Sequence, residues 1–173
     1  MKKILTLAVF ILILSGCSSL KVSHDIEPDA SFASLETFSF QPHTAANRDT
    51  LNEDRIIKAV KNNLESKGYR SSKIKPADFK IQFQLQSTPN VPSNVSFGLG
   101  LGSFSGNLGG SIGTSHRKTY NQETIVIDLL NPTNGKLLWR GTATDKLDQA
   151  ETPEQRQAQI NRLVNAIFLN FPN

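Results

Sequence analysis

The stretch "ADFKIQFQLQST" sets the tightest limit on the fold. Phe79, Ile81, Phe83 and Leu85 alternate with Lys80, Gln82, Gln84 and Gln86, the period-two pattern of a strand with one buried face and one wet face. A sheet of such strands is covered on one side only, so the chain must supply the cover from elsewhere. Two segments qualify. In "TLNEDRIIKAVKNNLESKG", Ile56, Ile57, Val60 and Leu64 fall on one helical face, Thr50 and Glu53 have capping-box spacing, and Gly68 stands where a helix end wants positive φ. In "TPEQRQAQINRLVNAIFLNFPN", Thr152 caps, Pro153 takes the first helical position and Gln155 completes the box. Ile160, Leu163, Val164, Ile167 and Phe171 make the apolar stripe of that second helix.

Further strands flank these elements. Leu20, Val22, His24 and Ile26 recur at period two, and after a polar break Thr37 to Phe40 form a second short run before Pro42. Downstream, Ile125, Ile127 and Leu129 read as one inward row, and Leu137, Trp139 and Ala143 as the returning row. Pro132 to Gly135 turns between them, with Asn134-Gly135 the strongest turn pair. Trp139 and Arg140 are neighbours on a strand and point to opposite faces. That assigns Trp139 to the core and excludes a shared aromatic-and-cation clamp, unless a bulge at Gly141 re-aims one of them. The order ββ-α-β-(glycine-rich hairpin or loop)-ββ-α predicts an α+β fold, a two-layer sandwich with a largely antiparallel sheet and two helices on one face.

The chain begins "MKKILTLAVFILILSGC". Lys2 and Lys3 precede an apolar run from Ile4 to Leu14, broken only by Thr6, the layout of a secretory signal and too short for a spanning helix, which needs roughly 20 apolar residues. "LSGC", Leu14 to Cys17, resembles the bacterial lipobox, which implies cleavage between Gly16 and Cys17 and lipidation of Cys17. Cys17 is the only cysteine of the chain, so it cannot staple the fold internally. Multiple acylation would hold the domain at a membrane without a spanning helix. Ser18 follows the cysteine instead of an acidic residue, which under the sorting rule of Gram-negative lipoproteins implies the outer membrane. The expected organisation is a signal peptide over 1–16, a lipidated tether over 17–19 and one α+β domain over 20–173. Of nineteen Lys and Arg, Lys2 and Lys3 leave with the signal, and the remaining seventeen face fifteen Asp and Glu, a net +2. No basic cluster interleaves with aromatics, and no nucleic-acid partner is expected.

The lipobox, "TFSF", "KNNLESKGY", "IQFQ", a glycine-rich middle, "TIVIDLLNPTNGKLLWRGTA" and the terminal "AIFLNFP" together resemble the bacterial lipoproteins grouped as domain of unknown function 4136. The resemblance implies an envelope lipoprotein with a compact α+β domain and no established activity, and it carries over no catalytic residue.

His24, His43 and His116 are scattered, and no catalytic residue is assigned. Asp25, Glu27, Asp29 and Glu36 have the ligand spacing of an EF-hand loop, but Ala30 occupies the glycine position and Pro28 interrupts. A solvated acidic turn is expected, with no metal site and no cofactor.

Residues 93–116 hold seven of the eleven glycines. Their spacing fits neither a dinucleotide fingerprint nor a P-loop. Val95, Phe97, Leu99 and Leu101 alternate with Ser96, Gly98, Gly100 and Gly102, and no charged residue lies between Lys80 and Arg117. A neutral, β-prone run of this kind is an aggregation hazard unless covered. Its own domain, a protein partner and the lipid bilayer are the three available covers. Phe97, Leu99, Leu101, Phe104, Leu108 and Ile112 form the candidate interaction surface. The expected function is a non-enzymatic, outer-membrane-anchored periplasmic lipoprotein, bound to the membrane through Cys17 and to an envelope protein through the glycine-rich stretch. A small-ligand or lipid binder using the groove between sheet and helices is the alternative, and an enzyme the third reading.

Overall fold

The structure is a computed structural model that describes residues 20–42, 49–72, 76–92, 119–147 and 152–172. In chain order it contains β1 (Lys21–Ile26), β2 (Thr37–Phe40), α1 (Thr50–Ser66), β3 (Arg70–Ser71), β4 (Phe79–Pro92), β5 (Thr119–Leu130), β6 (Leu137–Leu147) and α2 (Pro153–Phe168). The strands form one sheet in the order β1-β6-β5-β4-β2-β3. The β1–β6, β6–β5 and β5–β4 pairings are antiparallel, while β4–β2 and β2–β3 are parallel. The sheet is therefore mixed, with an α+β sandwich built on it. The two early strands sit on opposite sides of the central hairpins, and the two-residue β3 is an addition that its polar sequence did not announce.

Alternation decides which face is covered. Ile81, Ile125, Ile127, Leu129 and Ala143 are fully buried on the helix side, with Phe83 and Trp139 close behind. Gln82, Gln84, Thr142 and Thr144 occupy the open side. Each helix lays its apolar stripe on the buried rows, Ile56, Val60 and Leu64 from α1 and Ile160, Leu163, Val164 and Ile167 from α2. Asn52 meets Arg156 at 3.0 Å and Asn63 meets Asn165 at 2.8 Å, so the helices run side by side in the same direction. Among the described residues the facing rows of sheet and helices form one continuous apolar core.

Helix ends follow local chemistry. Thr152 accepts from the Gln155 N–H while the Gln155 side chain accepts from the Thr152 N–H, a reciprocal capping box with Pro153 at its start. At α1 the cap is Asp49, one residue earlier than the Thr50 expected from spacing, because its carboxylate reaches both the backbone N–H and side-chain amide of Asn52. Gly68 has φ +95° just past the end of α1, and Gly135 has φ +70° in the β5–β6 turn.

Gly141 has a steric role. A Cβ there would lie 2.4 Å from Ile167 Cγ2 and 2.4 Å from Trp139 Cη2, so only glycine lets the indole lie flat along β6 beneath α2. The irregularity of this hairpin falls at Leu138, where Leu130 pairs Leu137 and Leu129 pairs Trp139. It leaves Trp139 and Arg140 on opposite faces.

Candidate functional site

Gly16, Cys17 and the surface of Phe97, Leu99, Leu101, Phe104, Leu108 and Ile112 lie outside the described residues, as do His43 and His116. What the structure provides is their frame. Pro92 and Thr119 are direct ladder partners, so residues 93–118 leave and rejoin the sheet at adjacent positions on the tip of the β4–β5 hairpin. Near this tip the ladder carries one extra residue on β4, between Thr88 and Val91, with Asn90 at φ +57° and its N–H donating to Asn121 Oδ1 at 3.3 Å. This bulge sets Val91 opposite Tyr120, whose ring carries the Lys146 ammonium 4.6 Å from its centroid. Tyr120 and Lys146 are diagonal neighbours on the open face.

Beneath the helices at the same end, the apolar rows give way to charge. Glu123 and Asp145 are direct cross-strand partners, 0% and 1% exposed. Two carboxylates so placed repel, and α2 answers each with an arginine. Arg156 donates from both terminal nitrogens to the two Glu123 oxygens at 2.6 Å each and from Nε to Asn52, and Arg162 donates to Asp145. The bidentate pair ties α2 to β5 and, through Asn52, to α1. The sequence carried a signal for this network: Glu123 and Asp145 occupy the inward phase of the strands that place Ile125 and Ala143 in the core.

The open face holds a second bidentate pair. Arg140 donates to both Asp128 oxygens at 2.7 Å, directly across β5–β6, and this hydrogen-bonded carboxylate pushes the guanidinium pKa further up. At the start of β4, Asp78 accepts from the Glu36 and Thr37 N–H groups and the Thr37 hydroxyl, at 3.0, 2.8 and 2.8 Å. These bonds hold its carboxyl below the usual range. Asp78 thereby clamps the entrance of β2 to β4, a role no spacing rule revealed.

Three of the four acidic residues of the EF-hand-like spacing have separate partners. Asp25 accepts from the Ile26 N–H, Glu27 pairs with Lys136 at 2.8 Å and Glu36 with Arg70 at 2.6 Å. Among the described residues no cluster of His, Cys, Asp and Glu is arranged to hold a metal ion. A cleft of about 170 Å³ opens between Asp25–Pro28, Leu137 and Trp139, below the roughly 300–1,000 Å³ of typical ligand pockets. His24 lies on β1, all of whose residues are exposed.

The model for a domain of unknown function, DUF4136, matches residues 22–173. The chain belongs to the DUF4136 family. A prokaryotic membrane lipoprotein lipid attachment site matches residues 1–18, immediately ahead of the DUF4136 domain, and the protein is a membrane-anchored bacterial lipoprotein. No curated protein matches the chain. Among solved structures, a PDZ domain protein from Parabacteroides distasonis is 16% identical with TM-score 0.55 over 98% of this chain and 40% of that one. The DUF4136 chain thus spans well under half the length of that protein, and the likeness is one of fold. A PelC dodecamer from Paraburkholderia phytofirmans is 10% identical with TM-score 0.49 over 86% of this chain and 94% of that one. Among the described residues no helix is long and apolar enough to cross a membrane.

Proposed function

We propose that this DUF4136 protein is an outer-membrane lipoprotein whose domain faces the periplasm and serves as a non-enzymatic accessory interaction module of the envelope. The observation that carries the reading is the attachment site over 1–18 running directly into a domain whose first strand starts at Lys21. Ser18 supports sorting to the outer membrane. The non-enzymatic part is supported by the use of the described acids and bases as structural pairs, Glu123–Arg156, Asp128–Arg140, Asp145–Arg162, Glu27–Lys136 and Glu36–Arg70. The interaction part rests on the uncharged run holding Phe97 to Ile112, which needs a cover.

Metabolic palmitate labelling with density fractionation tests the anchor. The native chain is expected to take up label and sediment with outer membrane, and Cys17→Ala to do neither; an unlabelled native chain overturns the reading. Crosslinking in envelopes tests the module. A chain lacking 97–112 is expected to stay folded and lipidated and to lose a partner that the full chain captures; identical partners with and without the segment count against it.

A further inference from the structure

β1 runs antiparallel to β6, and its first residue, Lys21, pairs with Thr144, which in turn pairs with Thr124. The N-terminal end of β1 therefore faces the end of the sheet at which β4 and β5 reach Pro92 and Thr119. From the level of Thr124 to Thr119 is five residues of strand, about 17 Å. From Lys21 back to Cys17 is four residues, at most about 14 Å when fully extended. The hairpin tip thus stands as far out as the anchoring cysteine can reach, or farther. The opposite end, the turn at Asn131–Lys136, lies eight residues of β6 beyond Thr144, about 27 Å the other way.

Charge then selects which side of the near end meets lipid. The starts of α1 and α2 carry Asp49, Glu53 and Glu154, which anionic headgroups repel. On the open face, the bulge brings Val91 beside Tyr120, and Lys146 lies over the Tyr120 ring. Tyrosine and lysine each combine an apolar body with a polar tip, the chemistry of the headgroup region. We propose that the open-face end of the β4–β5 hairpin, with Val91, Tyr120 and Lys146, is a membrane-contact surface that lies against the bilayer holding Cys17. The inference rests on lipidation of Cys17 and adds the orientation of the domain: upright, hairpin end down, helix starts tilted away.

The test uses the full lipidated protein in vesicles of phosphatidylethanolamine and phosphatidylglycerol. Lipidation consumes Cys17, so a single introduced cysteine accepts a fluorophore at Val91→Cys, Tyr120→Cys, Leu51→Cys or Asn134→Cys. With a quencher attached to the lipid headgroup, the labels at 91 and 120 are expected to be quenched severalfold more than those at 51 and 134. Lys146→Glu is expected to reduce quenching at 91 while leaving flotation with the vesicles intact. Equal quenching at 91 and 134, or stronger quenching at 51 than at 91, overturns the proposal while the anchor stands. Loss of flotation by the lipidated protein overturns the anchor reading and the surface with it.

Discussion

Near the Asn131–Lys136 turn the helices rest on rings: Trp139 lies 5.0 Å from Phe171 and 5.9 Å from Phe168, and Tyr69 bridges Phe79 at 5.4 Å and Phe171 at 5.8 Å. At the hairpin end the same helical layer rests on Glu123 and Asp145, each met by an arginine of α2. Rings bury large apolar area with modest demands on direction. A buried ion pair has an unfavourable desolvation term that its own attraction roughly offsets, so its net stability is small while its geometry is strict. The contrast assigns cohesion to the ring end and register to the ionic end. The strict end is also the one at which β1 begins, at Lys21, and at which the β4–β5 ladder ends, at Pro92 and Thr119.

The contrast breaks first at Gly141. Gly141→Val places atoms inside contact with Ile167 and Trp139, and a loss of more than about 3 kcal/mol is expected, read as loss of the thermal transition of the domain produced without residues 1–17. Trp139→Ala removes the centre of the ring cluster and should cost about 3–5 kcal/mol in chemical denaturation. Arg156→Ala strands the buried Glu123 and should cost a comparable 3–5 kcal/mol. Here the ends separate: Glu123→Leu with Arg156→Met is expected to restore most of that stability, whereas no partner change rescues Trp139→Ala. If the double substitution is as unstable as Arg156→Ala, the ionic end contributes cohesion as well and the contrast fails. Arg140→Ala removes a half-exposed guanidinium from the buried Asp128 carboxylate and should cost about 1–3 kcal/mol.

The smallest effect is a pH dependence. The Asp78 carboxyl has a depressed pKa in the folded state, so its contribution is full above the unfolded carboxylate range, near pH 4, and fades as pH falls through the lower folded value. Asp78→Asn should weaken β2 slightly at neutral pH and flatten the acid limb of the stability curve. An unchanged acid limb would remove Asp78 as the clamp.

Much of this architecture was legible. Period-two alternation at Phe79–Leu85 and Ile125–Leu129 identified the buried face, and the Thr152-Pro153-Gln155 cluster located α2 because capping is a local property. Long-range relations were less accessible. Nothing in Lys21–Ile26 says that β1 pairs with β6 while β2 joins β4 in parallel, since strand partners are chosen by the whole sheet. The Glu123–Arg156 pair joins residues 33 positions apart; the inward phase of Glu123 marked a buried carboxylate but could not name its cation. Gly141 read as a possible bulge because its neighbour across space, Ile167, is invisible in sequence. The role of Asp78 depends on β2 lying beside β4, which the alternation pattern does not encode.

Hydrogen exchange on the lipidated protein, compared between vesicles and the soluble domain lacking residues 1–17, tests the assignment of the two ends most directly. Binding to vesicles should add protection at 86–92 and 119–123 and leave 132–138 and 166–172 unchanged. Added protection at the 132–138 turn, or none at the hairpin end while the protein remains on the vesicles, would contradict the account.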